Sequence, residues 1–316
     1  MTLRYASRTD VGRVRKNNED AVLDPQRFPA EAEGLAHHGW LFIVADGMGG
    51  ALGGEVASNL AIETIHRLFY QAPADMSQQE VLRRAILTAN QVVYERSELD
   101  PDLSGMGTTV TAVSIQDIHA HVAQVGDRRC YLYRQGHLQQ ITRDHSYVQE
   151  MLERGYLTPE EASDHPYKNR ITRVVGTEST VEVDLFDLEL LPADILLLCS
   201  DGLTGELSDP EMEDILTSAA TPTEVVDRML GAALAKEGRD NISVIVIQAE
   251  QGSERTGPKP KSWRKLILLV VGLILFLTVL GLLLWLFWPQ LFPPQKPFFP
   301  ERYSSLELGR AFLLWG

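Results

Sequence analysis

Most of the strand-like segments of this sequence follow one another directly along the chain, and this order limits the folds that it can adopt. Runs of apolar, β-favouring residues lie at 40–45, 108–115, 119–125, 129–134, 181–190, 194–200 and 242–249. Helical spacing of apolar residues occurs at Val56–Tyr70, Val81–Ser97, Tyr147–Arg154, Pro210–Ser218 and Thr223–Lys236. Because the strands are consecutive and the helices come mostly in pairs, the order predicts antiparallel sheets with helices outside them, rather than an alternating parallel sheet.

Four aspartates stand at the ends of these apolar runs. Asp46, Asp127 and Asp201 each follow a run, and Asp240 precedes the last one. In an antiparallel sheet the end of one strand and the start of its neighbour share an edge, so we expect the four carboxylates to converge. Oxygen ligands without His or Cys pairs suit magnesium or manganese better than zinc. The pattern therefore predicts a metal-dependent reaction.

Two of the four aspartates are followed directly by glycine. In Asp46-Gly47-Met48-Gly49-Gly50 the small residues allow backbone carbonyls to approach an ion, so the Gly47 carbonyl is a candidate ligand. For this segment alone an ordinary Asp-Gly turn is the alternative, and a P-loop is disfavoured because no Gly-Lys-Ser/Thr follows. Since Asp201-Gly202 repeats the unit and Asp240-Asn241 precedes a third strand, the set favours one shared site over unrelated turns.

Two charged segments are candidates for contact with phosphate. In Gly12–Asp20, Arg15 can offer forked N–H donors to phosphate while Glu19 and Asp20 face a metal ion or its waters. The irregular segment Thr142–Thr177 is interpreted as a flap beside the site, with four residues that can meet a phosphorylated segment: Lys168, Asn169, Arg170 and Arg173. Plain solvation of charged loops is the alternative for both segments.

The distribution of charge argues against one class of partner. The formal net charge is −14, and residues 251–316 hold eight Lys/Arg and three Asp/Glu, which leaves 21 and 40, or −19, for residues 1–250. Such an acidic body repels nucleic acid, so we expect no nucleic-acid partner. Cys130 and Cys199 lie in apolar runs without CxxC spacing and fit small core residues in a reducing compartment. The polar start, residues 1–16, predicts no signal peptide.

Residues 266–288 form a stretch of 23 residues without a charged side chain. As a helix it would be about 34 Å long, enough to cross a hydrocarbon layer of about 30 Å. Five Lys/Arg residues lie in 251–265 and three in the 28 residues after the stretch, a bias that places the large body in the cytoplasm. We therefore expect a domain at 1–250, a basic Pro/Gly linker at 251–265, a single transmembrane helix at 266–288 in the cell membrane, and a Pro-rich tail at 289–316.

Six short motifs occur in a characteristic order. They are Arg15-xxx-Glu19-Asp20, Asp46-Gly47-Met48-Gly49-Gly50, Gly105-Met106-Gly107-Thr108-Thr109, Gly126-Asp127-Arg128-Arg129, Ser200-Asp201-Gly202 and Gly238-Arg239-Asp240-Asn241. Their order and spacing, over about residues 4–248, resemble those of the metal-dependent serine/threonine protein phosphatases of type 2C, particularly the bacterial branch. The resemblance implies an α+β fold, a four-layer α-β-β-α sandwich of two antiparallel sheets flanked by helix pairs, to which this chain would add the transmembrane helix.

The resemblance also implies a cofactor and a role for each motif residue. The cofactor would be two manganese or magnesium ions, with a third ion as an open alternative. Asp46 would bridge the two ions, Asp201 and Asp240 would hold the first, and the Gly47 carbonyl the second. Glu19 and Asp20 would act mainly through water, Arg15 would bind the phosphate, and Asp127 with Asp201 would form the third-ion pair of the bacterial members.

The sequence departs from the family pattern at two positions. Many eukaryotic members have a histidine two residues after the first metal-binding aspartate, as a candidate proton donor to the leaving group, whereas Met48 stands here and cannot donate a proton. His145 or a metal-bound water are the remaining candidates. Arg128 replaces the usual serine after Asp127, and we expect this added cation to pair with Asp127 and weaken a third ion site.

Two functions from different classes follow from these observations. The first is a membrane-anchored phosphatase that removes phosphate from serine and threonine of cytoplasmic proteins, with a Ser/Thr kinase and its substrates as partners and membrane lipid around the anchor. The second is a catalytically silent relative that binds phosphoproteins as a membrane adaptor. The intact set of Arg15, Asp46, Asp201 and Asp240 favours the first, because a binding module does not need a full metal-binding set.

Overall fold

The computed structural model describes residues 1–250 and 277–279. The chain divides into two compact units, Met1–Ser253 and Glu254–Gly316, and the first contains both sheets. The predicted linker, span and tail lie outside the described residues, apart from three helical residues at 277–279. Within the described part, no helix is both long and apolar enough to cross a membrane.

Two antiparallel sheets form the centre of the domain. One sheet has five strands in the order β1 (Thr2–Asp10), β11 (Ile242–Glu250), β10 (Ile195–Cys199), β7 (Arg129–Arg134) and β8 (His137–Gln140). The other follows the order β2 (Asp20–Leu23), β3 (Trp40–Met48), β5 (Val110–Gln116), β6 (His119–Val125) and β9 (Asp184–Glu189), and β4 (Gly107–Thr108) pairs with the end of β3. The predicted antiparallel arrangement is confirmed.

Eight α-helices surround the sheets in the described part of the chain. They are α1 (Ala32–His38), α2 (Gly50–Tyr70), α3 (Gln78–Leu99), α4 (Tyr147–Glu153), α5 (Pro159–Ser163), α6 (Asp201–Thr204), α7 (Asp209–Ser218) and α8 (Pro222–Lys236). Side-chain caps fix several starts: the hydroxyls of Ser77 and Thr221 accept the N–H groups of Glu80 and Glu224 at the starts of α3 and α8. The predicted helices match α3, α4, α7 and α8 to within three residues at each end, and α2 begins six residues before the predicted start at Val56.

The buried apolar side chains form three layers, one between the two sheets and one between each sheet and its helices. The central strands are therefore buried on both faces. In β3, Leu41 and Ile43 pack under α2 and α3, whereas Phe42 and Val44 face the other sheet. In β11, side chains alternate in the same way between the layer shared by the sheets and the layer under α7 and α8. The result is a four-layer α-β-β-α sandwich, which confirms the predicted α+β architecture of this domain.

The structure differs from the sequence-based expectations in three places. Strands β1, β2 and β8 were not predicted, and β1 mixes polar and apolar residues because it is an edge strand that pairs with β11 alone. Asp46 does not end its strand: β3 continues to Met48, since Gly47 and Met48 pair with Thr108 and Gly107. The predicted irregular flap contains, besides the expected α4, the short helix α5, which was not predicted.

Candidate metal and catalytic site

Arg128 lies at the centre of the predicted aspartate cluster. Its Nη1 is 2.7 Å from Asp46 Oδ2 and also contacts Asp201 Oδ1, while Nε and Nη2 donate to Asp127 Oδ1 at 3.0 and 2.7 Å. The three carboxylates come from β3, from the first residue of α6, and from the loop after β6. The structure therefore brings three of the four predicted aspartates together on one guanidinium, whose side chain is 1% exposed.

The fourth aspartate reaches the cluster through the predicted phosphate-binding arginine. Arg15 Nη2 lies 2.8 Å from Asp240 Oδ2, and the two side chains are 51% and 36% exposed. This hydrogen bond raises the pKa of Arg15, so the guanidinium is charged at any working pH. Because one face of Arg15 remains open to solvent, it can still meet an anion.

Asp20 is a buried carboxylate that lacks a hydrogen-bond partner among the described residues. It stands directly opposite Asp46 in the pairing of β2 with β3, and only 7% of it is exposed. Neither of its carboxylate oxygens accepts a hydrogen bond there. Burial raises its pKa to about 6, against the opposing effects of Arg128 and of the hydroxyls of Ser243 and Ser200. An ionised carboxylate in this position is costly unless a cation compensates it. Asp20 therefore fits a site that is completed by cations.

Glu19 lies next to Asp20 in a space that only glycine leaves free. A Cβ atom added to Gly54 in α2 would lie 2.7 Å from Glu19 Cδ. Likewise, a Cβ atom on Gly47 would lie 1.8 Å from the Gly54 carbonyl oxygen, so the end of β3 and the first turns of α2 touch through backbone alone. Burial raises the pKa of Glu19. These contacts place Glu19 beside the chain segment that carries Asp46 and Gly47.

The backbone of Asp46 is fixed by two threonines whose function the sequence did not reveal. Thr109 N–H donates to the Asp46 carbonyl at 2.9 Å, and Asp46 N–H donates to Thr109 Oγ1 at 3.2 Å. The Thr108 hydroxyl also donates to the Asp46 carbonyl, at 2.9 Å. In the sequence, the Gly-Met-Gly-Thr-Thr motif counted only toward the resemblance to the phosphatase family, and no role could be assigned to its threonines. The structure shows that it positions Asp46.

Asn241 performs a similar task for the segment that contains Arg15 and Glu19. Its Oδ1 accepts Glu19 N–H at 2.7 Å, and its Nδ2 donates to the carbonyls of Val11 and Asn17 at 2.9 and 3.0 Å. The side chain is buried, so these bonds have no competition from water. Asn241 thereby ties residues 11–19 to the start of β11, next to Asp240.

The charges of the site leave a large negative excess. Six carboxylates, those of Glu19, Asp20, Asp46, Asp127, Asp201 and Asp240, stand against two guanidiniums, so the formal charge with every group ionised is −4. Burial raises the pKa of Asp46 well above its usual range and raises that of Asp127, although Arg128 opposes both shifts. For Asp201 the desolvation is outweighed by Arg128, which lowers the pKa. Two divalent cations would balance the excess.

The donor set fits manganese or magnesium in chemistry, although Arg128 now holds several of the oxygens. All the donors are hard oxygens, the type that these ions prefer. Among the described residues, however, no group of three or more His, Cys, Asp or Glu side chains is arranged as a ready metal site. Arg128 contacts one oxygen of each of Asp46, Asp127 and Asp201, so part of the oxygen set is already engaged by N–H donors.

His145 is placed as a structural residue rather than as a proton donor to a substrate. Its Nδ1 accepts Gly126 N–H at 3.0 Å, and its Nε2 lies 3.2 Å from Asp184 Oδ2. The side chain is 4% exposed, and burial lowers its pKa. Arg173, which was a candidate for contact with phosphate, bonds to Asp184 at 2.7 Å and to Glu182 at 3.1 Å. Both residues therefore brace the flap.

A cavity of about 510 Å³ opens beside the cluster and reaches the flap. Its lining includes Asp127, Asp201 and Asp240 on one side and Lys168 and Asn169 of the flap on the other. A second cavity, of about 620 Å³, lies beside α1 and α2 and shares no lining residue with the cluster. The cavity that touches the carboxylates is therefore the candidate for the substrate, and two of the four flap residues predicted to contact phosphate line it.

Comparison with known proteins identifies the family. The family model described as protein phosphatase 2C matches residues 30–238. The chain belongs to the protein phosphatase 2C family. The serine/threonine phosphatase stp of Listeria monocytogenes is 38% identical over 248 residues, which cover 77% of this chain and 94% of that protein. The serine/threonine protein phosphatase PstP of Mycobacterium tuberculosis is 39% identical over 249 residues, which cover 78% of this chain and 45% of that protein.

Solved structures of protein phosphatase 2C relatives share the fold. The serine/threonine phosphatase Stp1 from Staphylococcus aureus matches with a TM-score of 0.73 and 34% identity, over 79% of this chain and 96% of that one. The catalytic domain of PstP, solved in complex with 2 manganese ions, matches with a TM-score of 0.68 and 37% identity, over 79% and 99% of the two chains. The prediction of an enzyme of this class is thus confirmed, and the predicted manganese cofactor agrees with that complex.

Proposed function

We propose that this protein phosphatase 2C member hydrolyses phosphoserine and phosphothreonine in proteins with two manganese or magnesium ions. The observation that carries the proposal is the meeting of Asp20, Asp46, Asp127 and Asp201 at one end of the sandwich, from four separate parts of the chain. The formal charge of −4 and the unpartnered carboxylate of Asp20 support it, since both call for added cations. The match to the family supports the choice of reaction.

The residues of the site divide the work of such a reaction. Asp46, Asp201, Asp240 and the Gly47 carbonyl would hold the ions, and Glu19 and Asp20 would act through water. When bound, the ions supply a water of lowered pKa as nucleophile and neutralise charge on the phosphoryl oxygens.

Arg15 orients the phosphate. In the structure one of its nitrogens is engaged by Asp240 at 2.8 Å, and its remaining N–H groups are available for a forked contact with phosphate oxygens. Asn241 holds the segment that presents this guanidinium. Neither Met48 nor the buried His145 is suited to protonate the leaving group, so we assign that proton to water in the open cleft.

We further propose that the domain is anchored in the cell membrane by a single helix at 266–288, with the phosphatase in the cytoplasm. The support is the uncharged stretch of 23 residues and the five Lys/Arg residues in 251–265. In this arrangement the substrates are phosphorylated cytoplasmic proteins, including a Ser/Thr kinase and its targets near the membrane. Lys168 and Asn169 would contact the substrate chain, because they line the cleft.

A metal-dependence assay tests the proposed reaction. The full-length chain, purified in mild detergent, should release phosphate from phosphoserine and phosphothreonine peptides with Mn²⁺ and stop when the metal is chelated. Asp201→Asn should lower kcat by at least about 100-fold, because it removes a proposed ligand. Asp227→Asn is the control, since that aspartate pairs with Arg8 on the surface of α8. Full activity of Asp201→Asn would contradict the ligand assignment.

One observation favours the silent adaptor as a second candidate. Arg128 already neutralises part of the carboxylate cluster, as a residue that replaces a metal ion would. The same assay separates the two functions. Binding of a phosphopeptide without turnover at any Mn²⁺ concentration would support the adaptor and exclude the phosphatase.

A further inference from the structure

Arg128 is held in the carboxylate cluster through both its side chain and its backbone. Three of its side-chain nitrogens donate to carboxylates from three separate parts of the chain, those of Asp46, Asp127 and Asp201. Its own carbonyl accepts hydrogen bonds from Thr111 Oγ1 at 2.8 Å and from Gln124 Nε2 at 3.1 Å. Because both the backbone and the guanidinium are held, the positive charge has a fixed position.

The contacts of Arg128 overlap with those that an ion on Asp127 and Asp201 would need. Two nitrogens of the guanidinium share Asp127 Oδ1, and a third contacts Asp201 Oδ1. An ion between these two carboxylates would have to displace a side chain that is 1% exposed. Such a displacement would leave the guanidinium buried without its partners, which is strongly unfavourable.

The charge balance leads to the same conclusion. With Arg128 in place, the formal charge of the site is −4, which two divalent ions neutralise. A third divalent ion would give the site a formal charge of +2 with Arg128 present, against +1 without it. Without Arg128 the formal charge is −5, and the carboxylates of Asp127 and Asp201 lose the cation that separates them. A third ion would then replace what the arginine supplied.

We propose that Arg128 is an internal cation of this site: it takes the place of a third divalent ion on Asp127 and Asp201 and holds the carboxylates together before metal binds. The inference deepens the proposed function, on which it rests for the two ions. It assigns two properties to Arg128, a limit on the number of bound ions and a contribution to the stability of the metal-free protein.

Counting bound ions tests the first property. Full-length wild type and Arg128→Ser are titrated with Mn²⁺ by calorimetry, and bound manganese is also measured after equilibrium dialysis. We expect about two ions per chain in the wild type and three in Arg128→Ser. Arg128→Gln, which keeps most of the volume without the charge, serves if the serine variant does not fold. Arg128→Lys, which keeps the charge, should bind two.

Thermal unfolding in a chelator tests the second property without any enzyme assay. Metal-free Arg128→Ser should unfold roughly 10 °C below the wild type, because its buried carboxylates lose their counter-ion, and saturating Mn²⁺ should recover most of the loss. The control is Arg134→Ser at the end of β7, outside the site, which breaks a fork of 3.0 and 2.6 Å to the buried Asp194. Its stability should also fall, but Mn²⁺ should not recover the difference and two ions should still bind.

The outcomes distinguish this inference from the proposed function. No binding of Mn²⁺ and no hydrolysis by the wild type would refute the proposed function. Three ions in the wild type would overturn the role of Arg128, and so would an unchanged count of two in both Arg128→Ser and Arg128→Gln. Equal unfolding temperatures of wild type and Arg128→Ser in the chelator would overturn the second property.

Discussion

Asn241 offers a test of how the phosphate-binding segment is held. Replacing it with leucine, which has nearly the same shape, removes three hydrogen bonds of 2.7, 2.9 and 3.0 Å from residues 11–19. At about 1 kcal/mol each, the loss is roughly 3 kcal/mol, or a fall of about 6–12 °C in Tm for a domain of this size. The same change frees the segment that carries Arg15. Because a displacement of about 1 Å in a positioning group can cost 10²-fold, we expect kcat/KM to fall by about 10–100-fold.

The matched control is a second buried asparagine, whose side chain bonds to no residue proposed to hold an ion or phosphate. Asn90 on α3 donates to the Glu178 carbonyl at 3.0 Å and accepts Gly176 N–H at 2.8 Å. Asn90→Leu should therefore lose roughly 2 kcal/mol of stability but retain its kcat/KM. Both variants are assayed with Mn²⁺ at a temperature well below either Tm, next to thermal unfolding in a chelator. The reasoning fails if Asn241→Leu retains wild-type kcat/KM, or if both variants lose activity equally.

Three further predictions concern single features of the chain. Arg15→Lys keeps the charge but not the fork, so KM for phosphopeptides should rise about 10-fold with a smaller change in kcat; an unchanged KM would show that Arg15 does not bind phosphate. Burial raises the pKa of Asp20 to about 6, so its protonated form stabilises the metal-free protein at low pH and this stabilisation is lost as pH rises through about 6. Asp20→Asn should therefore stabilise the metal-free protein by up to about 3 kcal/mol more at pH 8 than at pH 4 in urea unfolding, and an equal effect at both values would contradict the assignment. Deleting 266–288 should move the protein from the membrane fraction to the supernatant, and an unchanged distribution would refute the proposed anchor.

The sequence predicted those strands of the fold that are buried on both faces, because burial alone determines their pattern of apolar residues. Strands β3, β10 and β11 are covered on both faces, so they appear as continuous apolar runs. Strand β1 has water on its open edge and carries polar residues through most of its length. The apolar pattern therefore does not predict it. Asp46 looked like the end of a strand because the two residues after it pair with Gly107 and Thr108, more than fifty positions away.

The sequence predicted which carboxylates form the site, but it did not predict the residues that hold them together. Asp46, Asp127 and Asp201 were placed together because each follows an apolar run, and the pairing of Arg128 with Asp127 was expected from their adjacency. The contacts of Arg128 with Asp46 and Asp201 were not expected, since Asp46 lies 82 residues before Arg128 in the chain and Asp201 lies 73 residues after it. The role of Asn241 depends in the same way on neighbours that only the folded structure brings together.

The pairing of β1 with β11 has a mechanical consequence. Thr2 lies opposite Glu250, and Asp10 lies opposite Ile242, so both ends of the domain emerge side by side at the far end of this ladder from Arg15 and Asp240. A pull on these two ends would open the ladder like a zipper, one pair of hydrogen bonds at a time. Nine residue pairs would have to separate before the force reached the catalytic end.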